Sequence, residues 1–352
     1  MKRRDNVLAA LRHEEPDWIP YNEGFTDGDA QRKFGDRLLF DNDFRGAGVG
    51  VGRTEILESS DRLVVYKTWS GAVWEMHYGP YWHRIRKPAL ERLEDMDSVE
   101  LPDVWSLPVR QVREARSSCE RQKAEGYYVQ AGVTEGPFPI GWKFFRRLDL
   151  WLVDLIARPH LCKKLLDRLL PWVVDQAVIN LEEVGVDGIG TGGDMGTTRG
   201  LFFSPKLYRE MFHPWYMKLA AEVHKRDGYL NLHSHGNINA IYGDLVEAGV
   251  DVINPLDPED GMNLRELKET YGGKMTLSGG VSRKVAFMTT PEMKRHVNEV
   301  IATAAPGGGL ILDSAGRISS DMSLEFATAY VEYCGKARRA WRRIVQDPDR
   351  IL

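Results

Sequence analysis

The chain has 352 residues, of which 43% are hydrophobic and 28% are charged, and its formal net charge is −4. This composition is typical of a globular protein with one large domain or two ordinary ones, and the small negative charge argues against nucleic acid as a partner. Because no apolar stretch approaches the length of a membrane span and the N-terminus is not an apolar signal core, we expect a cytoplasmic protein with no membrane partner.

Residues 1–109 are predicted to form an N-terminal extension of helices with one β-hairpin. Two β-rich runs, 63–69 and 72–78, flank a short glycine turn, and this pattern predicts a hairpin at about 60–80. An earlier extended segment near residues 18–21 is a candidate strand of the main sheet.

Strands and helices alternate from residue 110 onward, and 110–352 is the range predicted as the main barrel. Short apolar strands that alternate with helices form parallel sheets covered on both faces. No GxGxxG or P-loop motif follows a strand, so a (β/α)₈ barrel accounts for the pattern better than a nucleotide-binding open sheet. The six predicted strands are 127–133, 186–190, 229–233, 250–254, 275–279 and 309–313.

Polar residues follow nearly every predicted strand, and barrel enzymes keep their chemistry at these positions. Carboxylates and histidines that face one cavity suit either a metal site or acid–base catalysis. An aspartate after a strand also commonly caps the next helix, and this alternative stays open for Asp194. The strand-end candidates are Glu135, Asp194, His233, His235, Asn254, Asp257, Ser278, Asp313 and Arg317.

The most informative motif is HSHGN at residues 233–237, which ends an apolar strand. Residues i and i+2 of a strand share a face, so the rings of His233 and His235 can point the same way. Gly236 favours a functional site, because glycine lets the backbone approach a ligand closely. Two histidines that are simply hydrogen-bonded near a barrel rim are the alternative.

Further motifs are spread along the chain: KRRDNVLAAL at 2–11, PDWIP at 16–20, EGPF at 135–138, GDMG at 193–196, SP at 204–205, FHP at 212–214 and GVDVINP at 249–255. Together with HSHGN, they resemble the uroporphyrinogen decarboxylase superfamily over most of the chain. The resemblance implies a single domain over residues 1–352, a distorted (β/α)₈ TIM barrel whose cleft lies at the C-terminal ends of the strands.

The decarboxylases of this superfamily carry two motifs that the chain does not match. The first is the N-terminal RQAGRY, whose arginines bind carboxylates, and the corresponding residues 21–27 hold no arginine. The second is a Gly-His-Gly motif after the last strand, where this chain has SAGR at 314–317. A cleft for a substrate with eight carboxylates needs cations, so uroporphyrinogen decarboxylation is not expected.

The other branch of the superfamily contains cobalamin-dependent methyltransferases. Members that methylate thiols hold zinc with a His-x-Cys pair and a later cysteine; here His233-Ser234-His235 has histidine in place of that cysteine, and the later cysteine is missing. The resemblance therefore implies a substrate-side methyltransferase or O-demethylase, which passes a methyl group from a small substrate, such as an aromatic methyl ether, to a corrinoid. The chain has no Asp-x-His-x-x-Gly motif, so cobalamin is expected only on a separate corrinoid protein.

Each candidate residue has a predicted role, and two other functions stay open. The alternatives are a decarboxylase or lyase of a uroporphyrinogen-like or other carboxylated substrate, and a non-catalytic barrel that binds a small molecule. A homodimer is also an open possibility, although the sequence shows no self-complementary patch. The predicted catalytic residues are Glu135, Asp194 and His233. The predicted substrate-binding residues are Asn254, Ser278, Asp313 and Arg317.

A divalent metal, zinc, is predicted at His233, His235 and Asp194. Imidazole nitrogen and carboxylate oxygen suit zinc, and three protein ligands leave an open catalytic position. The alternative is a metal-free site in which His233 binds the substrate directly.

Overall fold

The structure, a computed structural model, describes residues 2–26, 28–78 and 82–352. Residues 79–80, at the end of the predicted hairpin range, lie outside the described residues. The helices are α1 (Arg3–Leu11), α2 (Gly28–Phe34), α3 (Val109–Ala124), α4 (Pro137–Ile140), α5 (Leu148–Ala157), α6 (Pro159–Ile179), α7 (Pro205–Met211), α8 (His213–His224), α9 (Asn239–Glu247), α10 (Leu264–Tyr271), α11 (Thr290–Ala304), α12 (Leu324–Ala337) and α13 (Trp341–Gln346). The strands are β1 (Phe44–Gly46), β2 (Glu55–Ser59), β3 (Leu63–Lys67), β4 (Val73–His77), β5 (Trp82–Lys87), β6 (Tyr128–Gly132), β7 (Gly188–Gly192), β8 (Gly196–Thr197), β9 (Gly200–Leu201), β10 (Tyr229–His233), β11 (Val252–Leu256), β12 (Thr276–Val281) and β13 (Leu310–Ser314).

The main sheet is a curled parallel sheet in the order β1-β6-β7-β10-β11-β12-β13. Tyr21 forms a parallel bridge to Leu312 of β13. The Tyr21 carbonyl also accepts a hydrogen bond of 3.0 Å from the backbone N–H of Asp43, which precedes β1. The Tyr21 segment therefore lies between the first and last strands as an eighth member. The architecture is a distorted (β/α)₈ barrel, which confirms the predicted fold.

Two of the eight barrel members come from the range predicted as an N-terminal extension. The candidate segment 18–21 contributes Tyr21, whereas β1 was not predicted, because Phe44-Arg45-Gly46 contains a single large apolar residue and no alternation. The predicted hairpin is present as β3 and β4, but β2 and β5 extend it to a four-stranded antiparallel sheet.

The break between α7 and α8 follows from the local sequence. The Ser204 hydroxyl accepts a hydrogen bond from the backbone N–H of Leu207 and caps α7, and Pro205 occupies the first helical turn. Pro214 lacks the N–H that would continue the helix, so α7 ends at Met211 and α8 begins at His213. Among the described residues, no helix combines the length and apolar character needed to cross a membrane.

The barrel interior changes from apolar to polar along the strands. Its lower part is an apolar cluster made by Val7, Leu8 and Leu11 of α1 with Phe44, Tyr128, Val252 and Ile311 from the strands. Because strand residues i and i+2 share a face, Gln130 and Asn231 lie on the same interior faces as Tyr128 and Tyr229, one layer higher. Barrel interiors are ordinarily filled by Val, Ile and Leu, so this polar layer marks the site.

The Asp43 carboxylate holds the irregular joint between the Tyr21 segment and β1. One oxygen accepts hydrogen bonds from the Tyr21 backbone N–H (2.9 Å) and from Nη1 of Arg338 (2.5 Å), and the other accepts from the Trp18 indole N–H (3.2 Å). The side chains of Asp43 and Arg338 are both fully buried. Removing one partner of a buried ion pair typically costs about 3–5 kcal/mol, so this pair constrains the closure of the barrel.

Candidate functional site

A cavity of about 400 Å³ opens at the C-terminal ends of the barrel strands. Its volume falls in the range of small-molecule sites. Two of its amide side chains, those of Gln130 and Asn231, come from the middle of their strands, so the cavity reaches into the barrel. The lining residues are Asn22, Phe44, Arg45, Gly46, Gln130, Ala131, Gly132, Gly190, Thr191, Gly192, Asn231, His233, Asn254 and Arg317.

His233 ends β10 and is oriented by two asparagines. Its Nδ1 lies 2.8 Å from Oδ1 of Asn254, whose amide nitrogen donates to Oδ1 of Asn231 (2.5 Å). Because Asn254 uses its NH₂ group for Asn231, its oxygen accepts the Nδ1–H of His233, and Nε2 is left as an acceptor. Desolvation at the mouth lowers the pKa of His233, which favours the neutral ring at neutral pH.

Asp194 follows β7 and lies beside His233. Its Oδ1 is 3.9 Å from Nε2 of His233 and accepts a hydrogen bond from the backbone N–H of His235 (2.9 Å). The next helix is capped by Ser204, so Asp194 does not act as that helix cap. The side chains of His233 and Asp194 are 45% and 40% exposed, so a molecule at the mouth can reach both.

Glu135 lies in the loop between β6 and α4 and packs against β7. Its Oε1 pairs with Nζ of Lys143 at 2.6 Å, and its buried Oε2 has no hydrogen-bond partner among the described residues. A side chain at Gly192 would collide with Oε2, so this close approach requires glycine. Burial raises the pKa of Glu135 even though Lys143 attracts the carboxylate, so Glu135 keeps its proton to a higher pH than an ordinary glutamate.

Ser278 and Asp313 lie behind the cavity wall. The Ser278 hydroxyl donates to Oδ2 of Asp313 at 2.8 Å, and both side chains are buried. Burial raises the pKa of Asp313 from 3.8 to about 7. The buried Glu23 nearby accepts hydrogen bonds from the Ser314 backbone N–H and the Tyr330 hydroxyl. Ser278 and Asp313 are therefore placed to support the wall, and the substrate contact predicted for them would require a ligand that reaches beyond the lining side chains.

The predicted zinc ligands meet at the mouth without forming a ready metal site. The rings of His233 and His235 lie edge to face with centroids 4.8 Å apart, and the Asp194 carboxylate is held by the His235 backbone N–H. In the part of the chain that the structure describes, no group of three or more His, Cys, Asp or Glu side chains is arranged to hold a metal ion. Zinc binding at these residues stays a prediction.

The structure brings most of the predicted site residues to one mouth, although their roles stay predictions. His233, Asn254 and Arg317 line the cavity, Glu135 and Asp194 lie at its edge, and His235 packs on His233. Sequence reasoning missed the residues that lie inside strands, on irregular segments or on a π-helical turn. A period-2 reading of β6 and β10 would have found two of them. The missed residues are Asn22, Glu23, Arg45, Gln130, Lys143 and Asn231.

Comparisons with known proteins agree with this architecture. The family model described as uroporphyrinogen decarboxylase (URO-D) matches residues 62–337. A methyltransferase from Methanosarcina mazei has a TM-score of 0.69 at 17% identity, with 96% of this chain and 99% of that chain covered, and this likeness shows a shared fold. A comparison with curated proteins gives no match.

Two other solved structures are more distant. The YdhT protein from Bacillus subtilis has a TM-score of 0.43 at 12% identity, covering 92% of this chain and 86% of that chain. A xylose isomerase domain protein from Planctomyces limnophilus has a TM-score of 0.38 at 12% identity, covering 72% and 93%. At these TM-scores, neither likeness bears on fold or function.

The substitution Asp313→Asn is expected to change the pH dependence of stability. The pKa of Asp313 is 3.8 in an unfolded chain and about 7 in the fold. The contribution of its protonated form to stability is therefore fully present below pH 3.8 and is lost as the pH rises to about 7. Over this interval, the unfolding free energy of the wild type should fall relative to that of the variant by on the order of 4 kcal/mol, as urea unfolding can measure. A constant difference would contradict the prediction.

Proposed function

Since the chain belongs to the uroporphyrinogen decarboxylase (URO-D) family, we propose that it is a substrate-side methyltransferase. It takes a methyl group from the oxygen of a small substrate, such as an aromatic methyl ether, and passes it to a corrinoid carried by a partner protein. The observation that carries the proposal is that a mostly buried carboxyl with a raised pKa, Glu135, and an imidazole with a lowered pKa, His233, lie at one accessible mouth.

Demethylation of an ether needs an acid at the leaving oxygen. The C–O bond breaks as the methyl group moves to a nucleophile, and the oxygen keeps the electron pair and must gain a proton. The reduced corrinoid supplies that nucleophile when its carrier protein docks. The raised pKa of Glu135 lets it keep a proton that it can donate to the leaving oxygen. Neutral His233 carries its proton on Nδ1, so its Nε2 can accept a hydrogen bond but cannot donate one.

His233 and Asn254 therefore serve to hold the substrate rather than to protonate it. The Nε2 acceptor of His233 can bind a donor on the substrate, and the Asn254–Asn231 hydrogen bond fixes the ring orientation. Orienting the scissile bond in this way contributes to rate by proximity. The half-exposed side chains of His233 and Asp194 leave the mouth open to a cofactor that arrives on another protein.

A decarboxylase or lyase of a carboxylated substrate is the second candidate. The same observation favours it, because a carbanion left by loss of CO₂ also needs a proton from an acid such as Glu135. The two decarboxylase motifs that are missing, at residues 21–27 and 314–317, weigh against uroporphyrinogen itself as the substrate.

Glu135→Gln is expected to lower kcat by about 10²- to 10⁴-fold with little change in KM, because it removes the general acid but keeps the size of the side chain. The assay follows methyl transfer from a panel of small methyl ethers to the reduced corrinoid by absorbance. Lys143→Met should move the alkaline limb of the pH profile to higher pH, since Lys143 lowers the pKa of Glu135. Glu120→Gln, on the exposed face of α3, is the matched control. An unchanged kcat in Glu135→Gln would remove Glu135 from the mechanism.

Zinc at His233, His235 and Asp194 is kept as a separate proposal, and no step above depends on it. Elemental analysis of protein grown with zinc should give about one equivalent in the wild type and a large loss in His233→Ala and His235→Ala. Less than about a tenth of an equivalent in the wild type, or full metal in both variants, would contradict it. The histidines would then be assigned to substrate binding alone.

A further inference from the structure

The polar layer of the barrel interior gives the cavity a flat wall and a set of hydrogen-bonding groups. At Gly132 and Gly190, a Cβ would lie no closer than 3.9 and 3.8 Å to its nearest neighbour, so there is room there that side chains do not fill. Gln130 and Asn231 lie beside these glycines on the interior face. Gln130 and Asn231 are half-buried, and their amide groups can hydrogen-bond a molecule in this room, so the layer suits a polar ligand.

The charges that line the cavity are all positive. Arg45 and Arg317 are its two cations, and the other polar lining side chains, apart from His233 and Thr191, are amides. Among the described lining residues, none carries a carboxylate. The acids Glu135 and Asp194 lie at the edge of the mouth, on the side of β7. The cavity therefore has a cationic wall on one side and an acidic edge on the other.

Arg317 is the cation whose binding groups are free. Within the described residues, its guanidinium has no hydrogen bond or ion pair, whereas Arg45 donates to the Phe44 carbonyl (2.9 Å) and stacks on the Tyr127 ring at 4.1 Å. An arginine offers a planar fork that matches a carboxylate through two parallel hydrogen bonds.

The backbone holds Arg317 in a conformation that its neighbours must enforce. Its φ is +51°, in the left-handed region that a non-glycine residue adopts at a cost of about 1–3 kcal/mol. The loop is fixed by two backbone hydrogen bonds to the Tyr21 segment, from Ile318 to Gly24 (2.9 Å) and from Thr26 to Ile318 (3.0 Å). A Cβ at Gly24 would lie 2.9 Å from Nη1 of Arg317, so the guanidinium rests directly on that glycine.

Two buried carboxyls lie behind Arg317 without taking up its hydrogen-bonding groups. Glu23 is held by the Ser314 N–H and the Tyr330 hydroxyl, and Asp313 is held by Ser278. Both attract Arg317 electrostatically, since the arginine lowers the pKa of each against the effect of burial. Neither carboxyl takes up the hydrogen-bonding groups of the guanidinium, and Arg317 lines the cavity.

We propose that the substrate is a small carboxylate whose anionic group binds Arg317, with Arg45 as the second cation and the methylated end toward His233 and Glu135. The proposal rests on the proposed function in taking this cavity as the substrate site. Two cations suit a substrate with one or two carboxylates, and about 400 Å³ suits a single-ring acid.

Calorimetry with the full chain tests the proposal directly. The probes are p-methoxybenzoate and methoxyacetate, each beside its uncharged primary amide, and inorganic phosphate. At least one acid should bind the wild type more tightly than its amide, and Arg317→Gln should weaken that acid by about 10- to 100-fold while changing the amide little. Arg317→Lys keeps the charge but loses the planar fork of the guanidinium, so its affinity for the acid should lie between those of the wild type and Arg317→Gln.

Two further variants separate recognition from folding. Gly24→Ala displaces the guanidinium without removing it and should weaken the acid selectively, by less than Arg317→Gln. Arg110→Gln, an exposed change on α3, should alter neither acid nor amide.

Four results would overturn the proposal: no acid binds at up to about 10 mM, acid and amide bind the wild type equally, Arg317→Gln weakens both alike, or phosphate binds through Arg317 more tightly than the acids. Calorimetry contains no methyl acceptor and therefore measures binding alone. If an acid binds through Arg317 but is not demethylated when the reduced corrinoid is supplied in a separate assay, this inference stands and the proposed function is rejected.

Discussion

The buried ion pair of Asp43 and Arg338 is the interaction on which the barrel depends. The backbone of Asp43 connects the Tyr21 segment to β6, because its N–H donates to Tyr21 and its carbonyl accepts from Tyr128. The Tyr21 segment joins the sheet through a single bridge to Leu312 and has no full strand ladder. The Asp43 carboxylate therefore supplies a hydrogen bond to its backbone that a ladder would otherwise supply. Both side chains are fully buried, and each has a second ionic partner, Arg3 for Asp43 and Asp41 for Arg338, so neither charge of this network can be lost cheaply.

The closure sets the two walls of the cavity. The Tyr21 segment runs on into Asn22 and Glu23 and then fixes the loop of Arg317, so the cationic wall belongs to the irregular part of the barrel. The regular strands β6, β7 and β10 carry the acid–base groups of the other wall. The irregular closure thus places Arg317, the proposed recognition group, where a regular strand would present a packed side chain. The regular strands hold the proposed acid–base groups, Glu135 and His233, rigidly.

The sequence predicts the part of the structure that repeats, and it fails where tertiary contacts decide. Six strands follow from five-residue apolar runs between helices, and His233 and Arg317 follow from their positions after strands. β1 could not be predicted because Phe44-Arg45-Gly46 has no periodicity, and Tyr21 joins the sheet through one bridge. The pairing of Glu135 with Lys143 depends on how a π-helical turn packs beside a loop, which no spacing reveals.

The central claim is that this site removes the ether methyl group of a substrate whose carboxylate it binds. Labelling the methyl group and the carboxyl group of one substrate tests this claim. A methylated acid that binds through Arg317 is prepared with radiocarbon in its methyl group or in its carboxyl group, and each sample is incubated with the protein and the reduced corrinoid. The account predicts that the methyl label moves to the corrinoid and the carboxyl label stays in the demethylated acid. Release of the carboxyl label as CO₂, with the methyl label retained in the product, would contradict it.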